Sequence, residues 1–206
     1  MRDYSTYSFW LEDSGESLTP RPALKSSTDV DVAILGGGYS GLWTAYYLLL
    51  HEPVLRVAVV DKEIAGFGAS GRNGGWCSPN FPVTAGALEK RFGAEAARNL
   101  LLSMRASVDE VGRVCNEEKI DARFHKGGVL TLARGRHQLS GIRSSYAAYE
   151  RLGLGDRYQM LSATEATERI RVSDVHGLLQ TLVNSLDVAR YMRSQRVESR
   201  KVPLVT

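Results

Sequence analysis

The stretch Gly36-Gly37-Gly38-Tyr39-Ser40-Gly41 has the spacing G-x-G-x-x-G, and Asp61 stands about 20 residues beyond its last glycine. As chemistry, the pattern is a grip on pyrophosphate. Gly36 suits a tight turn, Gly38 lets a phosphate touch main chain, and Gly41 lets a helix pack closely on a strand. Amides at the start of that helix, together with the positive end of its dipole, face the phosphate charge. Tyr39 and Ser40 fill the variable places of the turn, and Lys62 follows the acid. Asp61 can accept both hydroxyls of an adenosine ribose, and it would repel a 2′-phosphate.

An ADP moiety is common to NAD and FAD, so the first turn alone does not choose between them. A second run of open backbone follows at residues 68 to 75, GASGRNGG, where Ser70, Arg72 and Asn73 are the polar handles and Ala69 and Gly74 bare main chain. Glycine costs entropy and adds nothing to a core, so such a run is useful where backbone must approach something closely. A nicotinamide enzyme of the two-halves type would pass from the second strand into another crossover helix. A flavin is longer and needs donors further from the first turn, which is what GASGRNGG supplies.

These residues need a scaffold, and the sequence provides one. DVDVAILGGG reads as a strand buried on both faces, GLWTAYYLLLH as a helix ending before Pro53, and LRVAVVD as a second buried strand. Together they predict a βαβ unit with a right-handed crossover. Ahead of it, residues 1 to 30 carry Tyr4, Tyr7, Phe9 and Trp10, then Pro20 and Pro22. They read as an arm or linker. Residues 31 to 82 hold the two glycine runs. Over 83 to 175, a helical period places Ala97, Leu101, Met104, Val108, Val111 and Val114 on one face, with a break near Gly93. ARFHKGGVLTLARG reads as strand, turn and strand with Gly127 and Gly128 at the bend. Another helix suits 136 to 152, and Ser162 with Glu165 forms a capping box opening a short helix to Ile170. Residues 176 to 206 could return to the nucleotide region, with a helix and a third strand over 186 to 206, or be an aberrant tail, since Pro203 suits a central strand badly. Arg190, Arg193, Arg196, Arg200 and Lys201 there make a basic face suited to solvent.

Composition bounds the rest. With 206 residues, 43% hydrophobic and 24% charged, the chain is long enough for a real core and unlike a disordered one. A net charge of +3 with scattered basic residues offers no footprint for nucleic acid. Cys77 and Cys115 have no metal spacing, so no metal site is expected and a reducing compartment is the default. The start lacks a signal-peptide pattern and no apolar run reaches membrane-span length, so the expectation is a soluble, cytoplasmic protein. Cys77 is expected to be a packed thiol, Tyr46 and Tyr47 packing residues, and His125 and Lys126 part of a solvated turn.

DVAILGGGYSGLWTAYYLLL followed by VAVVDKEIAGFGASGRNGG resembles the opening of the FAD-dependent D-amino-acid oxidase superfamily, in its bacterial amine and γ-glutamylputrescine oxidase-like branch. SFWLEDSGESLTPRPAL is similar to that branch's aromatic leader, and FHKGGVLTLARG to its first substrate-domain hairpin. Asp61 departs slightly, since the family more often has Glu. The resemblance implies an α/β fold with a Rossmann-type FAD-binding βαβ core, helices and an antiparallel portion of a substrate domain. It also implies hydride removal from the carbon beside an amine, transfer to the flavin and release of an imine that water hydrolyses. Ala69 and Ser70 would then pass near the ribityl chain and pyrophosphate. Arg72, Asn73 and Gly74 would approach the ring edge, with Arg72 placing positive charge near a reduced flavin. The substrate would be a small amine or amino acid, and no catalytic acid or base is singled out.

Family members are much longer, and their remainder supplies most of the substrate sheet. The sequence is therefore expected to be the first part of such an enzyme, holding FAD weakly or relying on a second polypeptide to complete the fold. Two other readings remain at this level: a non-catalytic nucleotide-binding or interaction module, and an NAD-dependent dehydrogenase.

Overall fold

The computed structural model describes residues 2–15, 17–170, 176–181, 184–185 and 204–205. The chain divides into two compact units. Unit one holds the described residues within Met1–Trp76, Arg113–Phe124 and Leu186–Thr206, and unit two those within Cys77–Gly112 and His125–Ser185.

Unit one begins with a short helix, α1 (Phe9–Asp13), and is built on β1 (Val32–Leu35), α2 (Tyr39–His51) and β2 (Val57–Val60). The strands run parallel, with Val32 opposite Val57 and Leu35 opposite Val60, as a helical crossover requires. At their starting ends the Arg56 side chain donates to both Asp31 carboxylate oxygens, at 3.1 and 2.8 Å. The Arg56 bond holds the Asp31 carboxyl down at about 2. β9 (Leu204–Val205) adds in parallel to the other side of β2, giving the order β1-β2-β9. That is the third strand expected in the tail; the helix and basic face expected from 186 to 201 lie outside the described residues.

Val57 and Val59 are fully buried, so β2 is the inner strand that its sequence predicts. β1 differs from expectation. Its residues alternate between half-buried and exposed, and Leu35 is 91% exposed. An apolar run shows that a strand is able to bury both faces; among the described residues nothing covers this one.

α3 (Ala85–Phe92), in unit two, and α4 (Ala94–Glu117), which belongs to unit two as far as Gly112, are separated by Gly93, where the helical period predicts a break. Gly93, at φ 85°, donates to Glu89 O at 2.9 Å and accepts from Ala97 N at 3.1 Å, closing one helix and opening the next. Of the six residues on the predicted face of α4, Ala97, Leu101, Val108 and Val114 are buried, and Met104 and Val111 are half-buried. Ala97 and Leu101 pack with Ala85, Leu88 and, from α5 (Arg136–Arg151), Ala148. A second cluster joins Ala133, Ile142 and Leu179. The capping box is present, since Ser162 Oγ accepts from Glu165 N at 3.3 Å and Glu165 Oε2 from Ser162 N at 2.8 Å. It opens α6 (Ala163–Arg169).

The hairpin expected over 122 to 135 is not formed. β3 (Trp76–Cys77) is two residues long; β4 (His125–Lys126) pairs antiparallel with β8 (Asn184–Ser185), whereas β5 (Val129–Ala133) pairs with β7 (Gly177–Thr181). β7 also pairs with β6 (Tyr158–Leu161), giving the order β5-β7-β6. The physical reason is ladder length. β7 offers β5 a five-residue register, and two-residue β4 has little to compete with it.

Candidate functional site

The first glycine run forms the bend that its spacing predicts. Gly36 N donates to Val60 O at 2.7 Å, tying the end of β1 to β2. Gly38, extended, is the N-cap of α2, and Leu42 N donates to its carbonyl at 3.0 Å. A Cβ at Gly41 would lie 2.0 Å from Gly36 O, a distance that no side chain tolerates. This is the close helix-to-strand approach that reserves the position for glycine. The amides of Ser40 and Gly41 fall in the first turn, where a helix supplies no acceptor. Asp61, half-buried at the end of β2, braces the bend: Oδ2 accepts from Gly37 N at 2.7 Å and Oδ1 from Glu63 N at 2.9 Å. Each carboxylate oxygen has a second lone pair, the capacity that ribose hydroxyls use.

The second run makes a bend of the same construction, and it begins two residues before GASGRNGG. Gly66-Phe67-Gly68-Ala69-Ser70-Gly71 repeats the first pattern as G-x-G-x-S-G. Gly68 is again an extended N-cap, here of a single 3₁₀ turn over Ala69–Gly71. A Cβ at Gly71 would meet Gly66 O at 2.1 Å. The turn stops because Asn73 Nδ2 donates to Ser70 O at 2.8 Å, and its Oδ1 accepts from Gly75 N at 2.8 Å.

The two bends touch. Ser70 Oγ accepts from Tyr39 N at 3.0 Å, and Gly66 N donates to Gly37 O at 2.9 Å. Ser70 lies over the first bend so closely that a Cβ at Gly38 would be 2.8 Å from its hydroxyl. The structure thus joins Gly36, Gly38, Tyr39, Gly41, Asp61 and Ser70 directly. Ser40, Lys62, Ala69, Arg72, Asn73 and Gly74 are exposed around them.

Arg72 turns back on its own loop. Its Nε donates to Gly68 O at 3.2 Å and its guanidinium carbon lies 5.4 Å from the Phe67 ring centroid. The leader packs on the same loop. Tyr4, Leu11 and Ile64 form a buried cluster with Leu18 and Phe67 beside it. Trp10 Nε1 donates to Asn73 O at 2.6 Å, and the Tyr4 hydroxyl donates to Glu63 at 2.7 Å. Those bonds from Tyr4 and Arg2 hold the Glu63 carboxyl below its ordinary range. Cys77 is half-buried and burial pushes its thiol up, so it is a poor nucleophile. Tyr46 bonds Glu118 at 3.0 Å, and its hydroxyl is pushed up to about 12, chiefly by burial.

Sequence reasoning missed Gly37, Glu63, Gly66 and Phe67. The repeated G-x-G-x-S-G was the available signal for Gly66, but it is too short to register as an internal repeat. The contacts of Gly37 and Glu63 carry no pattern.

The model of the family described as "DAO: FAD dependent oxidoreductase" matches residues 31–202, most of the chain. The chain belongs to that family. FAD is therefore its cofactor, and the two linked bends with Asp61 fit that group: open amides at a helix start, a carboxylate at the strand end, and glycines where main chain closes on main chain. Gamma-glutamylputrescine oxidoreductase of Escherichia coli (strain K12) is 32% identical over 166 residues, covering 81% of this chain and 38% of that protein. Glycine oxidase from Geobacillus kaustophilus superposes with a TM-score of 0.63 at 20% identity, over 85% of this chain and 46% of its own. L-alpha-glycerophosphate oxidase from Mycoplasma pneumoniae, solved with FAD bound, gives 0.62 at 17% identity, over 87% and 45%. At such identities the last two establish a common fold. The chain spans less than half of each. Among the described residues no helix is long and apolar enough to cross a membrane.

Proposed function

We propose that this chain is the cofactor-gripping portion of an oxidoreductase that oxidises a C–N bond of an amine or amino acid. The observation that carries the reading is the bond between the bends, Tyr39 N to Ser70 Oγ at 3.0 Å, which makes one continuous cradle from two glycine runs. FAD, when bound, supplies the acceptor for a hydride from the carbon beside nitrogen, leaving an imine that water hydrolyses.

The chain's own residues bind and orient. The amides of Ser40 and Gly41 face a pyrophosphate, and Asp61 accepts from the adenosine ribose. Ala69 and Ser70 offer backbone and hydroxyl to the ribityl chain. Arg72, Asn73 and Gly74 border the ring, Arg72 bringing positive charge to that bend; Lys62, exposed beside Asp61, adds charge at the ribose end. A second polypeptide that completes the fold belongs to the same reading. With neither cysteine in a disulfide, residence in a reducing cytoplasm belongs to the same reading.

Titrating the purified chain with FAD, followed by flavin fluorescence quenching, tests it. Saturable quenching that ADP reverses and that Asp61→Asn weakens is expected, and NADH should not compete better than ADP. Binding of ADP with no added affinity for FAD would favour a nucleotide-binding module, and preference for NADH a dehydrogenase. γ-Glutamylputrescine and glycine are the first substrates to offer, anaerobically, to the flavin-loaded protein.

A further inference from the structure

Three bonds that shape residues 72–75 close within their own loop: Arg72 Nε donates to Gly68 O at 3.2 Å, Asn73 Nδ2 to Ser70 O at 2.8 Å, and Gly75 N to Asn73 Oδ1 at 2.8 Å. They give the loop its form and leave its direction open. A fixed direction comes from 63 residues earlier, where the Trp10 indole N–H donates to Asn73 O at 2.6 Å. The 73–74 peptide is trans, so a carbonyl turned towards Trp10 turns the Gly74 N–H the opposite way. Gly74 is exposed, and a Cβ added there would meet nothing within 4 Å among the described residues. There is room beside it for a ligand.

Trp10 is itself held in place. Ser8 Oγ caps α1 by accepting from Leu11 N at 3.2 Å, and Leu11 is buried with Tyr4 and Ile64. Asp13, at the end of α1, pairs with Arg123. Ahead of the helix, Arg2 and the Tyr4 hydroxyl both donate to the Glu63 carboxylate, at 2.5 and 2.7 Å, and Glu63 N donates to Asp61 Oδ1 at 2.9 Å. The leader is therefore a strap, bonded next to Asp61 at one end and to Asn73 at the other.

We infer that Trp10 is a positioning residue of the cofactor site and that residues 2–13 are the strap that keeps it there. The indole N–H fixes the Asn73 peptide and so aims the Gly74 amide at the ring end of FAD. The ADP end is gripped by the first bend, which Trp10 does not touch. The inference rests on the flavin reading above and adds to it a residue that lies outside both glycine runs.

Trp10→Phe keeps an aromatic ring and removes the donor. Hydrogen exchange of the cofactor-free chain, followed by mass spectrometry, and titrations with FAD and with ADP compare this variant with the parent. Exchange over residues 72–76 should quicken severalfold while residues 39–51 exchange as before. FAD should bind about fivefold more weakly, the loss of one hydrogen bond, and ADP should bind as it does to the parent. If the substitution also lowers the melting temperature, 3-benzothienylalanine in place of Trp10, which exchanges the N–H for sulfur in a ring of the same shape, should give the same results with the packing kept. Unchanged exchange, unchanged FAD affinity, or an equal loss for FAD and ADP overturns the inference alone. A parent chain that binds no FAD overturns the flavin reading and the inference together, an outcome distinct from the other three.

Discussion

The two glycine bends of unit one share a six-residue pattern, an extended glycine N-cap and a carbonyl that would lie 2.0 and 2.1 Å from a Cβ added at the sixth residue. They part company afterwards. The first leads into thirteen residues of helix, the second into a single turn. The residues on the C-terminal side of each bend account for the difference. Leu42-Trp43-Thr44-Ala45 continue helical hydrogen bonding and bury Leu42 and Ala45. Arg72-Asn73-Gly74-Gly75 instead spend the Asn73 amide on the last carbonyls and continue through glycines. A long helix brings a dipole and a fixed direction; a single turn leaves exposed main chain that can be shaped around a ligand. Under the proposed function the same turn serves once as a charge site and once as a lining.

Substituting the sixth-position glycines should separate the two bends most sharply. Gly41→Ala should abolish FAD and ADP binding and destabilise the chain by about 1–3 kcal/mol or more, because both carbonyl and helix are held by β1 and β2. Gly71→Ala meets an equal clash in a loop with more room to yield, so its melting temperature should fall less. Equal losses by thermal denaturation would mean that the two bends are equally rigid. Asp61→Asn keeps the shape but turns one acceptor into a donor, and ADP affinity measured by calorimetry should drop about tenfold, in line with ~1.5–3 kcal/mol for a charged hydrogen bond. Ser70→Ala removes the side-chain link between the bends and leaves the bond from Gly66 N to Gly37 O. It should cost about 1 kcal/mol in urea unfolding and weaken FAD more than ADP. If ADP suffers as much, Ser70 serves the first bend alone.

The smallest effect lies at the far end of the strands that carry the first bend. Asp31, held at about 2 by Arg56, has a depressed carboxyl, so its contribution is present above its ordinary value of 3.8 and lost as pH falls through about 2. Melting temperatures of the parent and Asp31→Asn should therefore converge between pH 4 and pH 2. A constant gap would assign the difference to packing.

The first bend was legible because three glycines, an acid and two apolar strands must all keep their spacing for a pyrophosphate site to exist. Gly93 and the Ser162–Glu165 box were legible for a similar reason, each being a local hydrogen-bonding device. Partners far along the chain were not. β5 finds β7 across more than forty residues, and no local pattern distinguishes that ladder from a hairpin with β4. Nor does the apolar run of β1 disclose that Leu35 stands exposed, since exposure depends on what else is there to cover it. Arg72 was expected at the flavin's edge from its position alone, whereas its bond to Gly68 O follows from a turn geometry that appears only in coordinates.

The leader's grip on the later bend has a practical side. Trp10 holds Asn73 and Tyr4 holds Glu63, so whatever is fused to, or clipped from, the first dozen residues tugs on the later bend. A preparation nicked there would keep its mass almost unchanged and lose the anchor of that bend.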